Sequence, residues 1–145
     1  MWKEDVSQLT DVLKDYFKKH DIEIMESERD LKPHKKYIYA MQKYKDIPVI
    51  TVDDDAVYRS DMVKSLYEDH LKSPDCIVFG RGRQIMFDSS RKRALPYKAW
   101  KMVDFHEPSM DIMPTGVGGV LYPSQFCRLV NPDIFKKIDE LDLLL

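Results

Sequence analysis

The order of apolar runs along the first 80 residues constrains the fold most. "DVSQLTDVLKDYFKKH" places Val6, Leu9, Leu13, Tyr16 and Phe17 on one helical stripe, and lysines gather at its end, where the helix dipole favours cations. "DIEIME" (21–26) alternates Ile22 and Ile24 with acids and predicts a short strand. In "KPHKKYIYAMQKY", Pro33 suits the first turn of a helix whose apolar face is Tyr37, Ala40, Met41 and Tyr44. "IPVITV" (47–52) is a continuous apolar run, as in a strand covered on both faces. Residues 59–73 read as a helix with Ser60 as N-cap and Met62, Val63, Leu66, Tyr67 and Leu71 facing inward. "DCIVFG" (75–80) reads as a further buried strand. Helix and strand thus alternate three times, which predicts an α/β fold with a mainly parallel sheet flanked by helices.

Beyond residue 80 the pattern loosens. "GRGRQIMFDSSRKRALPYKAW" predicts a hairpin around the polar tip "DSSRKR", and "TGVGGVLYP" (115–123) a glycine-rich segment running into a strand. "NPDIFKKIDELDLLL" opens as a helix, with Asn131 as cap and Pro132 in the first turn. The chain begins in a helix with no strand ahead of it, and "LDLLL" carries no helix stop signal, so the sequence reads as one domain cut at both ends. A missing edge strand would leave unpaired backbone and apolar surface, which invites a homodimer.

Charge and composition exclude several classes. The 23 basic and 25 acidic residues give a net charge of −2, with no electrostatic grip on nucleic acid. No apolar run approaches the roughly 20 residues of a membrane span, and the N-terminus "MWKEDVSQLT" has no signal-peptide core. Cys76 and Cys127 have no CxxC spacing and read as buried thiols of a reducing, cytoplasmic compartment.

The stretch "IPVITVDDDAVY" (47–58) carries the chemistry. Three like charges at a strand end repel one another unless water, donors or a cation compensates them. In open α/β sheets ligands bind beyond the carboxyl ends of strands. In extended backbone Asp53 and Asp55 share a face and Asp54 takes the other. Two hard-oxygen ligands suit Mg²⁺ or Mn²⁺ completed by water and substrate phosphate. The alternative is a solvated strand end in which Asp54 or Asp55 caps a turn.

"ITVDDDAVY" resembles the metal-binding Asp-x-Asp segment of glycosyltransferases with the Rossmann-like A-type (GT-A) fold, especially bacterial family-2 enzymes such as those of polysaccharide biosynthesis. "KPHKKYIYAMQKYKDIPVITVDDD" looks like their basic helix before the metal strand, and "MPTGVGGVLYP" like their glycine-rich acceptor-side loop. The three blocks stand in the same order and cover most of residues 20–125. The resemblance implies an incomplete nucleotide-diphospho-sugar transferase domain over residues 1–145, with a nucleotide-sugar and metal half (1–80) and an acceptor-side half (81–145). It implies that Asp55 coordinates Mn²⁺ or Mg²⁺ on the donor diphosphate, that Asp53 bonds the ribose or assists the metal, and that Asp54 lies near the sugar or is structural. Lys32 and Lys36 would grip the donor phosphates or nucleotide. Gly118 and Gly119 would lie beneath the acceptor and donor sugar. The partners implied are a nucleotide-sugar donor, UDP-sugar favoured, and a saccharide or lipid-linked acceptor, with the enzyme in the cytoplasm or at the inner face of the membrane.

Each of these residues has a plainer reading. The lysines of "LKPHKK" also suit a solvated basic face, and the glycines a tight bend before a strand. Trp100 reads as an acceptor-stacking ring or a core residue, and Arg81 or Arg83 as a site or hairpin residue. His106 and Glu107 lie in a turn-like stretch, and Asp139, Glu140 and Asp142 read as a helix's polar face. No catalytic base is assigned. Two other classes remain open. One is a non-catalytic nucleotide-binding module. The other is a haloacid dehalogenase-like phosphatase with Asp53 as nucleophile, although "CIVFG" lacks that family's terminal Ser or Thr.

Overall fold

The computed structural model of the chain describes every residue except 29, 104–106, 131–132, 134–136 and 138–145. The helix expected from residue 131, with Asp139, Glu140 and Asp142, lies outside the described residues, as does His106. The chain divides into two compact units, Met1–Lys43 with Val130–Leu145, and Tyr44–Leu129.

In the first unit, the stripe expected to form one helix forms two, α1 (Lys3–Ser7) and α2 (Asp11–Lys19). Thr10 breaks it. Its backbone is extended and its side-chain oxygen accepts the Leu13 N–H at 3.4 Å, so it caps α2 rather than continuing α1. The strand expected at 21–26 does not form. Only Ser27 pairs, in a single parallel bridge with Trp2, supported by the Lys3 N–H on the Ser27 carbonyl at 3.1 Å. An alternating pattern becomes a strand only beside a partner, and residues 1–3 supply one for a single step. A short 3₁₀ turn, Lys32–His34, leads into α3 (Lys35–Lys43). Pro33 sits inside that turn, where its fixed φ is tolerated. Ile38, fully buried, packs on Leu31 with Tyr37, Tyr39 and Val130 around them. The Ser27 and Tyr39 hydroxyls bond at 2.7 Å, which satisfies the buried serine.

The second unit carries strands β1 (Val49–Thr51), β2 (Val78–Phe79), β3 (Gly82–Gln84), β4 (Lys101–Val103), β5 (Ile112–Pro114) and β6 (Val120–Tyr122). With them come helices α4 (Met62–Lys72) and α5 (Ser124–Cys127). The mainly parallel Rossmann-like sheet expected from the alternation is overturned. Among the described residues there are two three-stranded sheets, ordered β1-β6-β2 and β4-β3-β5, and every strand pairing in them is antiparallel. β1 and β2 do not pair with each other; β6 lies between them and runs antiparallel to both. Leu121 of β6 is 0% exposed and Val120 is 2%, so the most buried strand takes the centre.

Helix α4 packs on β2 and β6 through a narrower stripe than its apolar content predicts. Leu66 is buried and Met62 and His70 are half-buried, one residue per turn, whereas Val63, Tyr67 and Leu71 stay exposed. Its N-cap is Asp61 rather than Ser60. The Asp61 carboxylate makes no cap bond, because Arg59 holds it at 3.0 and 2.6 Å and keeps its carboxyl below the usual range.

The hairpin expected around "DSSRKR" forms. Phe87 bridges Ala94, and Leu95 N–H reaches the Met86 carbonyl at 2.7 Å. At its tip Asp88 Oδ1 accepts the Ser90 hydroxyl at 2.8 Å and the Ser90 and Lys92 amides at 3.1 and 3.2 Å. Those bonds, the serine's first, hold its carboxyl below the usual range. Cys76 is half-buried and Cys127 buried, and both are free thiols. No helix among the described residues is long and apolar enough to cross a membrane.

Candidate functional site

The three aspartates follow β1 without extending it. The strand ends at Thr51, and Asp54 and Asp55 form a turn. Asp53 is half-buried and its two neighbours are exposed. The shared face expected for Asp53 and Asp55 required extended backbone through residue 55, so strand period does not set their relation.

The glycine-rich loop reaches the same sheet end by register. Thr51 stands opposite Val120, so the residues after β1 and those before β6 meet at one edge of the sheet. Residues 116–118 form a 3₁₀ turn, and the Gly80 N–H bonds the Gly119 carbonyl at 3.1 Å. Tyr58 links the two segments. Its hydroxyl oxygen accepts the Asp53 N–H at 2.8 Å, and the hydroxyl also faces the Gly116 carbonyl at 3.5 Å, a weak bond. Sequence reasoning passed over Tyr58. The available signal was an aromatic ring in a short polar connection, five residues after Asp53.

The glycines have packing reasons of their own. A Cβ on Gly118 would stand 2.5 Å from the Arg81 backbone nitrogen, so two stretches of main chain cross where no side chain fits. Gly119 has φ +77°, and a Cβ there would meet Met62 Sδ at 2.9 Å. Both residues are therefore required by the path of the loop, whatever lies above it.

The two candidate arginines differ. Arg83 belongs to the hairpin sheet: it donates to the Trp100 carbonyl at 2.8 Å and lies 4.8 Å over the Tyr97 ring. Trp100 is half-buried, with its indole N–H on the Leu95 carbonyl at 2.8 Å. Arg81 is exposed and directly follows Gly80 at the aspartate end of the sheet. Its carbonyl accepts the Thr115 N–H at 2.9 Å, and its guanidinium has a weak 3.8 Å contact with Met102 sulfur.

Lys32 and Lys36 belong to the first unit. Lys32 opens the 3₁₀ turn, and Lys36, exposed on α3, lines a shallow dent with Phe17, Ile22 and Tyr39. The neighbouring Lys35 is engaged by Asp30 at 3.3 Å and Asp5 at 3.5 Å. The basic cluster is thus partly neutralised within its own unit. Glu107 is exposed.

Among the described residues, no group of three or more His, Cys, Asp and Glu side chains is placed to hold an ion. Asp54 and Asp55 are exposed beside the half-buried Asp53. A cleft of ≈ 720 Å³ lies elsewhere in this unit, between β2 and β5, and is lined by Val78, Phe79, Ile112 and Phe126. It includes none of the residues expected at the site. The chain matches no protein-family model, no curated protein and no solved structure.

Proposed function

We propose that the chain is the nucleotide-sugar-binding part of a metal-assisted glycosyltransferase. In this reading it takes a UDP-sugar donor and a saccharide or lipid-linked acceptor, in the cytoplasm or at the inner membrane face. The reading rests on the site and not on the parallel Rossmann-like sheet, which the described residues lack. The observation that carries it is the β1–β6 register, which puts three aspartates and a glycine turn at one sheet end with Arg81 alongside. Acidic oxygens for a cation, close-approach backbone and a guanidinium for phosphate are the groups that a nucleoside diphosphate requires.

Asp53 and Asp55 would hold Mn²⁺ or Mg²⁺, which when bound supplies charge neutralisation on the departing nucleoside diphosphate. The glycine turn would let main chain approach the donor closely. Calorimetric titration with UDP, with and without Mn²⁺, tests the reading on the wild type and on Asp55→Ala. The expected result is metal-dependent binding that is lost in the variant. Absence of binding for both UDP and GDP, with either metal, would contradict it.

A further inference from the structure

We propose that Tyr58 is a positioning residue for this site: its hydroxyl pins the backbone at Asp53 and so sets the aspartate turn against the glycine loop. The inference rests on the function proposed above, but the coupling it names is a property of the fold alone.

The connection from Thr51 to α4 spans residues 52–61 and contains no helix or strand of its own. A connection this exposed needs local fasteners to hold three like charges in one arrangement. The turn at 54–55 leaves the Asp53 N–H beyond the last ladder bond of β1, and the Tyr58 oxygen accepts it at 2.8 Å, a full-strength distance. The ring is half-buried, so the bond is only partly exposed to competition from water. On its other side the same hydroxyl faces the Gly116 carbonyl at 3.5 Å.

The loop it faces is itself fixed, because Gly118 crosses the Gly80–Arg81 backbone with no room for a Cβ on either side. One leg of the link is therefore a weak contact to closely packed backbone, and the other holds the residue that opens the acidic turn. Asp53 needs no change of its own for its carboxylate to be redirected; release of its amide is enough.

Tyr58→Phe removes one hydroxyl and little volume, so the fold is retained. Unchanged amide shifts in the hairpin at 88–93 would verify this. Two readouts are then taken: hydrogen exchange at the Asp53 amide, and affinity for UDP in the presence of Mn²⁺. The expected result is exchange at Asp53 faster by about tenfold, the loss of one hydrogen bond, with weaker UDP affinity and a melting temperature lowered by no more than about 4–8 °C. Unchanged exchange at Asp53 would overturn the coupling. Faster exchange with undiminished UDP affinity would overturn the positioning role and leave the binding reading standing. Faster exchange in a protein whose wild type binds neither UDP nor Mn²⁺ would overturn both the binding reading and the role that depends on it.

Discussion

The two three-stranded sheets of Tyr44–Leu129 share strand number and antiparallel pairing, yet they are held together by different forces. The β1-β6-β2 sheet is fastened by burial: Val49, Thr51, Val120 and Leu121 are all buried, and α4, with Leu66 buried, packs on β2 and β6. The β4-β3-β5 sheet has no buried large side chain among its strands. It is fastened by polar contacts instead: Arg83 on the Trp100 carbonyl, Gln84 on the Asp111 carbonyl at 3.0 Å, and the Arg91–Asp111 ion pair at 2.7 Å. The Arg83 Nε is buried with no partner among the described residues, which costs part of what those contacts contribute. The candidate site lies at the end of the buried sheet.

Core truncation should separate the sheets most. Leu121→Ala is expected to cost about 2–5 kcal/mol, whereas Met102→Ala, at a position 43% exposed on β4, should stay within about 0.5 kcal/mol. Chemical denaturation measures both, and equal losses would erase the distinction. The next effect is backbone crowding. Gly118→Ala forces a Cβ to 2.5 Å from the Arg81 nitrogen and should cost about 1–3 kcal/mol, read as a drop in melting temperature. The smallest effect is electrostatic. Arg59 holds the Asp61 carboxyl below its usual range, so the pair's contribution is present above that range and fades as pH falls through it. Both groups are solvent-exposed, so Asp61→Asn should flatten the acid limb of the stability curve only slightly.

Local features of the fold were legible in the sequence because local chemistry decides them. The hairpin at 88–93 follows from a polar tip between apolar flanks, and the β6 strand from "VLY" after the glycines. Adjacency was not legible. Nothing within residues 47–80 indicates that β6, some 40 residues later, enters between β1 and β2. Thr10 shows a second limit: a residue that interrupts nothing in the apolar stripe still starts a separate helix, because its hydroxyl serves as an N-cap. At the site, the aspartates and glycines were visible as residue types, and their proximity needed the β1–β6 register. The role of Tyr58 needed a single hydrogen bond that no pattern announces.

Paramagnetic broadening by substoichiometric Mn²⁺ in the presence of UDP, followed amide by amide in solution NMR, tests the central claim most directly. The account predicts that resonances of residues 53–55 and 116–119 broaden first, while those of the hairpin tip at 88–93 stay sharp. Broadening centred on Asp88 or spread over the acidic surface, with residues 53–55 unaffected, would contradict it.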